Sequence, residues 1–458
     1  MRRNIGICMG IIGLAASLAL MPWLGWLNDE NGGLYGVQAA QEEEALLAGP
    51  VPTVHFTQQH PASLQPIVTW TKVPGAVSFE LQMFRPAGSG ERLGEPFVQI
   101  FTTRYIYIHG YALPIPDTYT GNIVYWRVRG LNLEGQPISE FSALEPVYID
   151  RTLAAVVKPI PTSVFNEGNG TVLLYPVYMW IPIQGADRYE VEILDDEPEN
   201  PNDTAPSSHR IDSAEDKGFD HYDDYPRISE KPFYWRVRGL DAEGNAVGVY
   251  SDARSFRVNP DENYTVATFG DSITHGGGSI SYSPTDWEYS YQYYLNFPSI
   301  NLGLSGDTSA TTAERFDKDV VPFHPKYLII LMGTNSLRAG ISADDVIADM
   351  KTVRQKCRDN GIRPVFLTLP PINPANIKRA FDEPTDPDWQ KSFAAVNDFV
   401  RTQVYIDVAA GMADENGLLK TKLALDGIHP DVAGKKMMAA AINARWPVIL
   451  SLPEESWD

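Results

Sequence analysis

The sequence predicts a multidomain chain in which two all-β sandwiches precede an α/β/α unit built on a five-stranded parallel sheet. Three observations lead there. Two long segments repeat each other's tryptophans and turns. The character of the chain changes around Asn259-Pro260-Asp261. From Tyr264 onward, short apolar runs alternate with helical periodicity. The 458 residues are enough for about three domains at roughly 150 each. At 43% apolar and 21% charged, the composition is that of folded globular domains. The formal net charge of −21 argues against a nucleic-acid partner, since phosphate binding needs clustered Lys and Arg; its plainest use is solubility.

The chain opens with a short basic start, MRRN, then an apolar run. This is the pattern of an export signal over residues 1–39, with Val37 and Ala39 as small residues before the cut. Pro22 and that small-residue site favour cleavage; the length of the apolar run keeps a membrane anchor as the alternative. Either way the expected location is outside the cell or at its surface. Cys8 lies in the signal without a lipoprotein-type context. Cys357 is then the one mature cysteine, expected as a buried small residue.

The repeat covers 51–150 and 160–259. PIVTWTKVPGAVSFELQ and VYWRVRGLNLEG in the first copy match PVYMWIPIQGADRYEVE and FYWRVRGLDAEG in the second. Trp70 aligns with Trp180 and Trp126 with Trp235, at offsets of 110 and 109 residues. Phe79 and Leu81, and Tyr189, Val191 and Ile193, recur with the period of two of half-buried strands. Trp126 and Val128 alternate with Arg127 and Arg129, which predicts one core face and one wet face. Short strands with Glu-Gly turns suggest sandwiches. The pairing of "W…GA..YE" with "YWRVRG…EG" resembles fibronectin type III domains of exported bacterial proteins. The wide spacing of the two tryptophans in each copy predicts longer inner loops or an extra strand. Residues 196–224 read as a solvated, mobile acidic loop; its oxygen-rich residues would suit calcium, but no regular ligand spacing occurs.

In 262–458 five runs, YTVATF, SINLGL, YLIILM, RPVFLTL and VYIDVA, alternate with helices, implying a parallel sheet covered on both faces. A helix is expected over 342–360, capped by Ser342 with Asp345 three residues on. Val346, Ile347, Met350, Val353 and Cys357 form its buried face, and Gly361 ends it. The aromatic segment Trp287–Phe297 is expected to supply the core side of the first helix, and 371–391 a long polar loop at the ligand rim.

Ligands bind beyond the carboxyl ends of such strands. There the sequence puts Gly270-Asp271-Ser272, Ser305-Gly306-Asp307, Gly333-Thr334-Asn335 and, past a longer loop, Asp426-Gly427-Ile428-His429. A serine hydroxyl needs a base to become a nucleophile, and histidine suits near-neutral pH. His324 falls at the amino edge of the sheet. His275 has no carboxylate at orienting spacing except Asp271. His429 remains, with Asp426 able to accept its other N–H. The amides of Ser272 and Gly306 and the Asn335 side chain would donate to an oxyanion.

These blocks resemble the SGNH (GDSL) hydrolase family, as GDSIT at 270–274, Gly306 in NLGLSGDTS, GTNS at 333–336 and DGIHP at 426–430. The resemblance implies a flavodoxin-like fold, Ser272 as nucleophile, Gly306 and Asn335 as oxyanion donors, and Asp426 with His429 completing a triad. Ser336 stands where the family often has Asp, a departure at the hydrogen bond that often positions that loop; the donor Asn335 is kept. The reading is a secreted serine esterase, acting through an acyl-enzyme without metal or cofactor on acyl, foremost acetyl, esters of a small molecule or polysaccharide. The alternatives are a lipid or lysophospholipid esterase, or a surface-binding protein with a vestigial hydrolase domain. The sandwiches would serve as spacers or touch glycan. The HGGG at 275–278 has the look of a lipase oxyanion loop. With Gly306 and Asn335 in that role, it is expected only to line the pocket mouth, and His275→Ala to keep most activity.

Overall fold

A computed structural model describes residues 45–88, 96–116, 118–166 and 170–457. The expected export signal at 1–39 lies outside them, and no helix among the described residues is long and apolar enough to cross a membrane. From Leu46 onward the chain forms one compact unit.

Residues of the first repeat build a four-stranded antiparallel sheet from strands 78–86, 97–106, 123–131 and 145–148, faced by a small pair, 67–69 with 110–112. Phe79, Leu81, Met83, Trp126 and Val128 are fully buried between them, with the Trp70 and Trp126 rings 5.8 Å apart. The second repeat has the same plan. Strands 188–194, 210–216, 233–240, 246–247 and 254–256 form the larger sheet, and 160–161, 177–181 and 220–222 the smaller. The short strands 110–112 and 220–222 lie between the paired tryptophans, where the spacing left room for them.

The second copy departs from the expected wet face. Glu190, Glu192 and Arg236 are buried, with residues 196–208, themselves mostly exposed, lying across this face through Asn200 and Ala205. Arg236 donates to Glu192 Oε1 at 2.6 Å and to the Asn200 carbonyl at 3.0 Å, while Glu199 accepts from the Ser208 amide at 2.8 Å. Further along the acidic run, Arg210–Asp216 is a strand that pairs antiparallel with Arg188–Leu194. A buried charge must be paired and hydrogen-bonded, and the run supplies those partners.

Downstream, strands β1 (Val266–Gly270), β2 (Ile300–Asn301), β3 (Tyr327–Leu331), β4 (Arg363–Leu367) and β5 (Tyr405–Ile406) form a parallel sheet in the order β2-β1-β3-β4-β5. All five are among the expected runs. Every residue of β1 and β3 is buried, as strands covered on both faces must be. The helices are α1 (Ser272–His275), α2 (Ser309–Asp319), α3 (Thr334–Arg338), α4 (Ala343–Asp359), α5 (Pro374–Phe381), α6 (Trp389–Arg401) and α7 (Val432–Leu450). Helices α2, α4 and α6 pack in a row, and α7 packs on the turns at 287–294. In α4, Ser342 caps by accepting from the Asp345 amide, Val346, Met350, Val353 and Cys357 are buried, and Gly361 follows the end at φ +68°.

Two expectations fail here. The aromatic segment makes two 3-10 turns, 287–289 and 291–294, rather than a helix. Its rings recur every second residue, a spacing that makes no single helical stripe; Tyr289 and Tyr291 are buried while Tyr293 is exposed. Residues 371–391 are not all loop, since Asn373 caps α5 by accepting from the Asn376 amide and Pro374 starts it.

The β-sheets and the α/β region touch extensively. Lys72 pairs with Asp286 at 2.5 Å and Glu288 at 2.6 Å, and the Tyr282 hydroxyl donates to the Val73 carbonyl at 3.1 Å. Residues 172–174 run parallel to the edge strand β2: Asn301 N donates to Val172 O and Leu174 N to Asn301 O, each at 3.0 Å.

Candidate active site

The site forms where β1 ends. Gly270 adopts φ +154°, and a Cβ there would stand 1.8 Å from the Leu331 carbonyl oxygen of β3. A residue without a side chain lets the two strand ends close up and the chain turn sharply into α1. Asp271 then caps α1 by accepting from the Ile273 amide at 3.0 Å. Ser272 thereby stands just past the strand, 5% exposed.

The loop after β5 brings the other members. Asp426 Oδ1 accepts from the amides of Ile428 at 2.9 Å and His429 at 2.8 Å, folding the loop back on itself. Asp426 Oδ2 lies 2.8 Å from His429 Nδ1. A carboxylate only accepts, so Nδ1 carries the proton and Nε2 keeps its lone pair. Nε2 is 2.9 Å from Ser272 Oγ. The three residues named from the sequence as a set are thus brought together in one hydrogen-bonded chain. The Asp426 side chain is fully buried and that of His429 14% exposed. The Phe381 ring of α5 stands edge-on to the His429 ring, 6.1 Å between centroids.

The expected donors Gly306 and Asn335 lie on the segments that follow β2 and β3. Gly306 has φ +87°, and its absent Cβ would meet nothing within 4 Å. That direction is open, and the turn needs the left-handed conformation. The amides of Ser272 and Gly306 have no acceptor among the described residues. Asn335 spends one amide hydrogen on the Asp307 carbonyl at 2.9 Å and keeps the second. Ser336, where a carboxylate was the usual expectation, still positions its loop: its Oγ accepts from the Ser309 amide at 2.8 Å, and Ser309 Oγ donates to Asp349 at 2.6 Å.

His275 is not at a pocket mouth. It is 1% exposed, and burial lowers its pKa to about 4. His324 is exposed in a left-handed turn before β3, at the amino edge as expected. Behind Ser272, the fully buried Lys435 donates to the Ile273 carbonyl at 2.7 Å, and burial pushes the Asp271 carboxyl up to about 7. Sequence reasoning did not foresee Lys435, Phe381 or the Arg315 guanidinium, which binds Asp307, Asp319 and the Gly270 carbonyl. For Arg315 a signal existed, since Asp319 follows it by one helical turn. A cavity of about 330 Å³, lined by Arg354, Arg358, Arg445, Tyr405 and Trp457 among others, lies beside the start of β5 and not at this site. Among the described residues no group of three His, Cys, Asp or Glu is gathered to hold a metal.

Comparison with known proteins gives the following. An uncharacterized lipoprotein, YqeF of Bacillus subtilis, is 28% identical over 132 residues, which are 25% of this chain and 51% of that protein. The chain thus spans about half the length of that curated relative. A crystal structure of a putative acylhydrolase from Bacteroides fragilis is similar at 21% identity and TM-score 0.33, over 40% of this chain and 87% of its own. A GDSL-like lipase from Bacteroides thetaiotaomicron is similar at 20% identity and TM-score 0.34, over 42% and 91%. A mutant acetyl-xylooligosaccharide esterase from Geobacillus Stearmophilus is similar at 19% identity and TM-score 0.30, over 42% and 96%. The family model of GDSL-like lipases and acylhydrolases matches residues 268–437, a span that contains Ser272, Gly306, Asn335, Asp426 and His429. Residues 268–437 therefore belong to the GDSL-like lipase/acylhydrolase family.

Proposed function

We propose that this protein hydrolyses acyl esters with Ser272 as nucleophile, His429 as general base and acid, and Asp426 as the group that orients and supports His429. The observation that carries this reading is the chain of hydrogen bonds from Ser272 Oγ through His429 to Asp426, at 2.9 and 2.8 Å. Ser272 Oγ attacks the ester carbonyl carbon while its proton passes to His429 Nε2. The carbonyl oxygen becomes an oxyanion and takes hydrogen bonds from Ser272 N, Gly306 N and Asn335 Nδ2. Such preset donors strengthen as charge develops, and losing one typically costs about 10²–10³ in rate. As the tetrahedral species collapses, the alcohol leaves with the proton from His429. Water then hydrolyses the acyl-Ser272 ester by the same steps in reverse roles.

Within that class we favour acetyl esters of a carbohydrate, outside the cell. The segments that follow β2 and β3 carry half-buried polar groups, Ser305, Asn335, and Arg338 paired with Glu383 at 2.7 Å. A polar rim suits a hydroxyl-rich alcohol and a short acyl group, and the exposed Phe381 offers a ring on which a sugar face can lie. The upstream sheets are read as fibronectin III-like domains over 51–150 and 160–259, with the hydrolase domain at 262–458. Export follows from the basic-then-apolar start at 1–39. The test is acid release from acetyl, butyryl and octanoyl esters by wild type and Ser272→Ala. The expected result is a loss of at least about 10³-fold in kcat for Ser272→Ala, with acetyl the best substrate. Equal rates for the two proteins would sink the serine-esterase reading. A preference for octanoyl would move it to lipids.

A further inference from the structure

Gly306 is held from both sides by one residue that lies upstream of the α/β region. On the amino side, His275 reaches Ser305. Its Nδ1 lies 3.2 Å from Ser305 N and 2.9 Å from Ser305 Oγ, and its Nε2 lies 2.8 Å from the carbonyl oxygen of Tyr175. A carbonyl only accepts, so Nε2 carries the proton and Nδ1 accepts from Ser305. Burial keeps the ring neutral, with its pKa lowered to about 4, so one donor and one acceptor are fixed in place. On the carboxyl side, the Tyr175 hydroxyl donates to Asp319 at 2.7 Å. Asp319 accepts from Arg315 at 2.9 Å, and Arg315 holds the Asp307 carboxylate. The Asp307 carbonyl in turn accepts from Asn335 Nδ2. Tyr175, His275 and Arg315 are all buried, and Asp319 is fully so.

We propose that Tyr175, through its carbonyl to His275 and its hydroxyl to Asp319, is a positioning residue that clamps the Ser305-Gly306-Asp307 turn and so aims both oxyanion donors, the Gly306 amide and Asn335. The inference rests on the ester-hydrolase reading of Ser272. It makes the second β-region part of the catalytic apparatus rather than a spacer, and gives His275 a role in turnover. Oxyanion donors act on the tetrahedral state more than on the bound ester. A loosened turn therefore lowers kcat and leaves KM nearly unchanged.

The experiment compares kcat, KM and Tm on p-nitrophenyl acetate for the full chain as wild type, Ser272→Ala, Tyr175→Phe, His275→Leu and His275→Gln. Tyr175→Phe keeps the ring and removes one arm. His275→Leu removes the other arm, and His275→Gln restores one acceptor and one donor on a similar reach. Since one oxyanion donor is worth about 10²–10³, Tyr175→Phe is expected to lower kcat about tenfold and His275→Leu about thirtyfold or more. KM should stay within about twofold, and His275→Gln should recover most of the loss seen in His275→Leu. A kcat for Tyr175→Phe within about twofold of wild type overturns the clamp, and that variant decides alone if His275→Leu does not fold. Losses that track Tm across all variants, without rescue by His275→Gln, overturn it as well. Turnover that survives Ser272→Ala sinks the ester reading, whereas turnover that needs Ser272 but ignores Tyr175 and His275 sinks only the clamp.

Discussion

At the scale of single residues, Asp426 shows how much one side chain is asked to do. Its two oxygens accept from two backbone amides and one imidazole, all inside a site where the carboxylate is fully buried. In Asp426→Asn the amide NH2 must face one side or the other. Turned toward the backbone, it meets two N–H groups. Turned toward His429, it forces Nδ1 to accept, so Nε2 takes the proton and can no longer receive one from Ser272. Asp426→Asn is therefore expected to lower kcat by about 10²–10⁴-fold and to lower Tm, because at least one buried donor loses its acceptor. Steady-state kinetics beside thermal unfolding check this. A variant that keeps a tenth of the wild-type kcat would remove Asp426 from the mechanism. The identity of this residue was legible because the spacing Asp-x-x-His lets a loop fold back on itself. The partners of Ser305 were not legible. Tyr175 lies 97 residues before Ser272, and no local pattern in the sequence joins them.

At the scale of elements, the rim depends on how α2, α3 and α4 are pinned together. Ser336 of α3 accepts from the first amide of α2, and Ser309 there donates to Asp349 of α4. A helix start has amides without intrahelical partners, and one buried without an acceptor costs about 1–3 kcal/mol. Ser336→Ala should therefore lower Tm by a few degrees, roughly 2–4 °C per kcal/mol for a domain of this size. Its kcat should fall with it, since Asn335 is the neighbour. An unchanged Tm in a thermal melt would show that the contact carries no weight. The elements themselves were readable where one period dominated. The five apolar runs became strands, and α4 began at Ser342 and ended before Gly361 as expected. They were unreadable where composition had to stand in for period. The run at 196–224 is largely exposed, as its charge suggested, but it is not all loop: Asn200 serves Arg236 and the stretch 210–216 adds a strand to the neighbouring sheet. Residues 371–391 looked like loop because they are polar, yet Asn373 and Pro374 start a helix there.

At the scale of the whole molecule, two neutral histidines, His275 buried and His109 half-buried, sit where the β-regions meet the α/β region. His275 bonds the Tyr175 carbonyl, and His109 packs against the Phe79 and Tyr282 rings. Burial lowers them to about 4 and about 3, with Arg315 and Lys435 near the first and Lys72 and Glu288 near the second. An unfolded histidine titrates near 6.5. These groups therefore add stability above that pH and lose it progressively as acid approaches the folded values. Each unit of acidification through that window removes up to about 1.4 kcal/mol per histidine. Tm is thus expected to fall between pH 6.5 and 4.5, with a shallower slope in His275→Gln. A flat profile across that range would contradict the burial described. The contact of residues 172–174 with β2 bears on another property, colloidal behaviour. An uncovered edge of a flat parallel sheet is a template for another chain, and soluble proteins cover or charge such edges. Here the upstream polypeptide takes that place on Asn301. The α/β region thus has one of its two adhesive margins covered from within its own chain, and a protein cut between Tyr175 and β1 would expose it to self-association.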